Sequence, residues 1–126
     1  MSEGETLNIH DLVGGYSTFE KLVNTFYDAV ADDPVLRPLY PESLEGPRLH
    51  LALFLSQFFG GPPAYSELRG HPRLRARHLP FVIDRKERDA WLKHMLAAID
   101  ATGIEEPART HMRDYFQDAA TFLINQ

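Results

Sequence analysis

Between Leu49 and Phe59 the chain sets Leu49, Leu51, Leu53, Phe54, Leu55, Phe58 and Phe59. At helical spacing this is too much apolar surface for one stripe, so the segment must be covered on more than one side. With 126 residues in all, few elements are available to do the covering. A planar apolar cofactor is one candidate for the second side.

The remaining punctuation divides the chain into helices. Residues 1 to 10 read as an acidic tail and 11 to 126 as a single domain, with Asn8 to Val13 forming one short turn before Gly14-Gly15. Ser17-Thr18-Phe19-Glu20 fits a capping box that opens a helix bearing Phe19, Leu22, Val23, Phe26 and Val30. Pro34 stops it, and Pro34 to Tyr40 suits a single turn followed by loop. Pro47 fits the first turn of the Leu49–Phe59 helix, where its missing N–H costs nothing. Gly60-Gly61-Pro62-Pro63 ends that helix, and Ala64 to Leu79 reads as mostly irregular, with a short helix ending near His78. Asp84-Arg85-Lys86-Glu87 resembles an N-terminal cap. Ala90, Trp91, Leu92, Met95, Leu96 and Ile99 follow at helical spacing up to Gly103. The last helix starts at Glu105-Glu106-Pro107 with Met112, Tyr115, Phe116, Ala119, Phe122 and Leu123 inward. Nothing alternates as a strand. The expected class is all-α, with five main helices or fewer packed in pairs.

A chain that is 44% hydrophobic and 25% charged is globular rather than disordered. The absence of cysteine removes thiolate-bound haem, cysteine-held iron–sulfur clusters, disulfides and c-type haem attachment, leaving histidine as the strongest metal ligand. A net charge of -5 argues against nucleic-acid binding. No signal peptide and no apolar run of membrane-spanning length are present, which suggests a soluble cytoplasmic protein.

Within this acidic chain the run His71-Pro72-Arg73-Leu74-Arg75-Ala76-Arg77-His78-Leu79-Pro80-Phe81 is basic. Pro80 disfavours helix at Leu79, which leaves His78 near a helix end. No His-Glu-x-x-His and no i, i+4 histidine pair suggests zinc. A lone histidine is more often an ordinary surface or core residue, but it can hold a metal that brings its own equatorial ligands, as haem does. His78 is then the candidate iron ligand, with its other ring nitrogen donating to a backbone carbonyl. Arg75 and Arg77 are candidates to face the haem propionates, with neutral hydrogen bonds from Tyr65 and His71. Tyr27, Tyr40 and Trp91 form a second group. They fit as core aromatics, yet each carries a polar hydrogen that needs a partner if buried. Around a ferrous haem they would stabilise negative charge on dioxygen.

The motifs Val13-Gly14-Gly15, Phe26-Tyr27, Leu36-Arg37-Pro38-Leu39-Tyr40-Pro41 and Phe59-Gly60-Gly61-Pro62 recur in a known family. So do Tyr65-Ser66-Glu67, the run from Arg69 to His78, and Glu87-Arg88-Asp89-Ala90-Trp91-Leu92. By these the chain resembles the group II (O-type) truncated haemoglobins from about Asp11 to Asn125. The resemblance implies a two-over-two helical sandwich around haem b, with His78 as proximal ligand and Tyr27, Tyr40 and Trp91 as the distal donors. It implies Leu51 and Phe54 on the haem's distal side, Phe81 and Met95 near its edge, and Tyr65, Arg75 and Arg77 near the propionates. Phe59 stands where many relatives have tryptophan, and the loop from Pro41 to Gly46 is one residue shorter. Pro47 takes the place of the residue that gates the ligand in larger globins.

Three classes of function are therefore expected, in order. The first is a haem b protein binding dioxygen and other diatomics such as nitric oxide and carbon monoxide. The second is a redox enzyme carrying out nitric-oxide dioxygenation or peroxide reduction; the nitric-oxide cycle would need a reductase partner, since the chain has no flavin or nicotinamide motif. The third is a haem-free helical interaction module.

Overall fold

The computed structural model describes residues 8 to 125; of the tail expected over residues 1 to 10, residues 1 to 7 lie outside them, while Asn8 caps and Ile9 and His10 open the first helix. Among the described residues there are helices and no strand: α1 (Ile9–Val13), α2 (Tyr16–Ala31), a 3-10 turn (Arg37–Leu39), α3 (Glu45–Phe58), α4 (Ala64–Arg69), α5 (Leu74–His78), α6 (Arg85–Thr102) and α7 (Ala108–Phe122). The four long helices form the two-over-two sandwich, α2 and α3 making one layer and α6 and α7 the other. α2 packs against both α3 and α6.

The start of α2 differs from expectation. Gly15, at φ 79°, is its N-cap, with no side-chain cap hydrogen bond. The helix therefore begins at Tyr16, Ser17 falls inside the first turn, and no Ser17–Glu20 capping box forms. The Thr18 hydroxyl instead donates to the Val13 carbonyl at 2.6 Å, tying α2 to α1. At the head of α6 the acidic cap is a full capping box. Asp84 takes backbone N–H donation, and its own amide donates to Glu87 Oε1 at 2.9 Å. Gly103 closes α6 in the left-handed conformation.

The segment expected to be mostly irregular, residues 64 to 79, holds two short helices, α4 and α5, and His78 is the last residue of α5. α3 begins at Glu45 with Pro47 in its first turn, as the proline chemistry requires. It buries Ala52, Phe54 and Leu55 but leaves Leu49 and Phe58 about half exposed, at 46% and 51%. On α7 the inward face is Met112, Phe116 and Ala120, while Phe122, expected inside, is 57% exposed. Its ring lies 5.3 Å from the Arg75 guanidinium.

Fully buried Phe19, Leu22, Phe26, Leu55, Met95, Ile99, Met112 and Phe116 form the core between the layers. Each such side chain contributes about 1.5–3 kcal/mol relative to exposure. Gly61 marks where backbone must pass close: a Cβ there would sit 2.5 Å from His10 Cδ2 and 2.7 Å from the Ser56 carbonyl. None of the described helices is long and apolar enough to cross a membrane.

Candidate functional site

Between the layers lies a cavity of about 760 Å³, walled mainly by apolar side chains of α2, α3, α6 and α7 and by the segments 36–47 and 74–83. This is the second side that α3 needs. Phe54 and Leu55 are buried, and Leu51 partly so, and all three line the cavity. A space of this size with a few convergent polar groups suits a large, mostly apolar ligand.

His78 projects into the cavity from the end of α5. Its Nδ1 lies 2.6 Å from the Leu74 carbonyl. A carbonyl oxygen can only accept, so Nδ1 carries the proton and Nε2 is the nitrogen with a free lone pair. The ring is thus in the tautomer a metal ligand needs.

Tyr27 from α2, Tyr40 beyond the 3-10 turn and Trp91 from α6 line the same cavity. The two tyrosine rings meet edge to face, 5.4 Å apart at 89°. The Tyr27 hydroxyl and the Trp91 indole N–H, which can only donate, lie near enough to the Tyr40 hydroxyl to influence its ionisation. Burial raises both phenols, Tyr27 well above its ordinary value and Tyr40 less so, because the neighbouring Tyr27 and Trp91 donors pull it down. Both stay protonated, so each keeps an O–H that can donate.

The segment bearing Tyr40 is held at both ends. Asp33 Oδ1 accepts from the amides of Val35 at 2.7 Å and Leu36 at 3.4 Å, while Oδ2 meets His94 Nε2 at 2.6 Å. The His94 hydrogen bond is the largest influence on Asp33 and holds its carboxyl below the usual value against partial burial. Arg37 donates to the carbonyls of Tyr40, Pro41 and Glu42 at 3.3, 2.9 and 2.6 Å.

At the mouth the charge is positive. Arg69, Arg77 and His50 line the cavity, and Arg69 Nη1 lies 2.8 Å from His50 Nδ1. Since guanidinium only donates, His50 accepts and is neutral. Desolvation first, then the charges of Arg69 and Arg77, lower its pKa. Arg77 also donates to the Pro72 carbonyl at 2.7 Å and to the Arg69 carbonyl at 3.1 Å, and stands 6.0 Å over the Tyr65 ring.

Of the residues singled out from the sequence, Tyr27, Tyr40, Leu51, Phe54, Tyr65, Arg77, His78, Phe81 and Trp91 line this one cavity. Three do not border it. Met95 is fully buried in the core. Arg75 lies over Phe122, and exposed His71 accepts the Arg73 amide at 3.1 Å. Sequence reasoning missed Leu36, His50, Tyr115 and Leu123 as lining residues, while Arg69, one arginine of the basic cluster, also lines it. For His50 the signal was available, one residue before Leu51 on the same helix. Burial pushes the Tyr115 phenol up to about 12.

An apolar cavity, a histidine presenting a free Nε2, and two arginines at the rim match haem in shape, ligation and charge. Comparison with known proteins agrees. The family model described as Bacterial-like globin matches residues 8–125. Group 2 truncated hemoglobin YjbI of Bacillus subtilis (strain 168) is 40% identical over 98% of this chain and 93% of its own length. The crystal structure of hemoglobin from the thermophilic phototroph Chloroflexus aurantiacus superimposes with a TM-score of 0.94. It is 52% identical, over 96% of this chain and 100% of that one. A truncated oxygen-avid haemoglobin from Bacillus subtilis has a TM-score of 0.90 and 39% identity, over 94% of this chain and 100% of that one.

Proposed function

The chain belongs to the bacterial-like globins, and among them to the group II truncated haemoglobins; from that premise we propose that it is an oxygen-retaining haem protein whose Tyr40 is the principal donor to the ligand. As a member of this family it binds haem b and diatomic gases. The haem supplies the iron at which dioxygen, nitric oxide or carbon monoxide is held.

The chain's own residues do the rest. His78 offers Nε2 to the iron, its direction set by Nδ1–H donation to the Leu74 carbonyl. Arg69 and Arg77 at the rim are placed to pair with the propionates. Leu51, Phe54 and Leu55 keep the interior dry, which strengthens any polar contact within it. The observation that carries the proposal is the convergence of Tyr27 and Trp91 on the Tyr40 oxygen. With two donors beside its oxygen, Tyr40 is left to turn its own O–H toward a ligand, and those neighbours polarise that O–H further. Dissociation must break this bond first. Tight retention favours sensing or redox use over delivery, and it accords with the oxygen-avid relative.

Oxygen dissociation measured by stopped flow in Tyr27→Phe, Tyr40→Phe and Trp91→Phe tests the assignment. Loss of one hydrogen bond to a charged acceptor, ~1.5 kcal/mol or more, accelerates release about tenfold. Tyr40→Phe should give the largest increase. Equal rates in the wild type and Tyr40→Phe would remove Tyr40 from the role. Failure of the wild type to take up haemin would remove the haem reading altogether.

A further inference from the structure

We propose that Asn125 is a positioning residue for His78, tying the loop after the histidine to the chain beyond α7. The inference rests on His78 being the haem ligand. Asn125 Nδ2 donates to the Phe81 carbonyl at 2.8 Å and to the His78 carbonyl at 3.3 Å. Its Oδ1 accepts from the Ile83 amide at 3.0 Å, and its own amide donates to the Ile83 carbonyl at 2.9 Å. One side chain thus grips the loop from His78 to Ile83, more than forty positions earlier in the sequence.

This loop needs an external hold. α5 has five residues, too short to be stable alone, and it is not among the helices that pack extensively on one another. Pro80 has no N–H to contribute to a turn. The hydrogen bond from His78 to Leu74 sets the imidazole relative to its own helix, but it does not set that helix relative to the cavity. Asn125 does so, because Leu123, two residues before it, lines the same cavity as Phe81 and Ile83. The 78–83 loop is tied to the end of α7 through this amide, while Arg77 ties α5 to the Arg69 carbonyl of α4.

Asn125→Ala removes the three side-chain hydrogen bonds and leaves only the backbone N–H to the Ile83 carbonyl. Asn125→Asp keeps an acceptor for the Ile83 amide but has no N–H for the two carbonyls. Both are reconstituted with haemin, and three quantities are compared with the wild type. These are the ferrous iron–histidine stretching band by resonance Raman, the rate of haem transfer to apomyoglobin, and the melting temperature of the haem-free protein. The expected result is a shifted or broadened band and about tenfold faster haem release in both variants, the scale for losing a ligand's outer partner. An unchanged band in both variants overturns the proposal, even if the melting temperature falls. Loss of helicity in both haem-free variants also overturns it, since Asn125 would then serve the whole domain. If the wild type itself takes up no haem, the fault lies with the haem assignment and not with Asn125.

Discussion

The hydrogen bond from His78 to Leu74 decides more chemistry than any other single contact in the molecule, because it commits Nε2 to the cavity. His78→Gly should lose most haem retention in gel filtration while keeping its far-ultraviolet helicity. Free imidazole added to the variant should restore a histidine-like ferrous spectrum. Retention unchanged in His78→Gly would mean another side chain serves the iron. The sequence made His78 recognisable because Pro80 dictates a helix end and the basic run stands out in an acidic chain. For His50 only its place beside Leu51 was readable, not its role. Its importance comes from Arg69, nineteen positions away, whose donation fixes it as neutral. Arg75 and His71 show the opposite case. They share the basic run with Arg77, but α5 turns Arg75 onto Phe122 and leaves His71 on the surface.

At the scale of elements, local capping chemistry was readable where nothing else competed for it. Asp84 and Glu87 cap α6 as their spacing requires. Ser17 does not cap α2, because the preceding pair of glycines turns the chain and starts the helix at Tyr16. The junction of α2, the 3-10 turn and α6 could not be foreseen, since Asp33 and His94 are 61 positions apart. Asp33 has a folded pKa below its ordinary value. The stability it contributes is therefore complete above that ordinary value and disappears as pH falls through the lower folded one. His94→Ala removes the largest cause of the shift, so its acid unfolding midpoint, followed by circular dichroism, should move to higher pH. The same variant should release oxygen faster, because the Tyr40 segment loses one of its two anchors. An acid midpoint equal to that of the wild type would show the pair to be idle.

For the whole molecule, the two-sided apolar character of α3 was the most informative part of the sequence. It required a second covering, and the structure supplies a cavity of about 760 Å³ instead of a fourth wall of side chains. A protein built this way is incompletely packed until its ligand is bound, and ligand binding is then linked to folding. Haemin at a hundred times its dissociation constant adds ~2.7 kcal/mol, which for a chain of this length raises Tm by about 10 °C. Calorimetry of the haem-free and reconstituted protein measures this, and equal melting temperatures would contradict the linkage. The sandwich itself followed from helix periodicity and breakers. Which apolar residues face the cavity and which the core did not, because Met95 and Trp91 share a helix and differ only in what α2 and α7 place opposite them.

Gly46 and Pro47 border the cavity beside exposed Pro41 and Ser43, and neither brings a side-chain hydrogen-bonding group to the rim. A gas molecule crossing there would pass Ser43 and His50, the polar side chains at that edge, before it reached Tyr27, Tyr40 and Trp91 deeper in. If the rim governs capture and the aromatic donors govern retention, the two timings answer to different residues and could be changed one without the other.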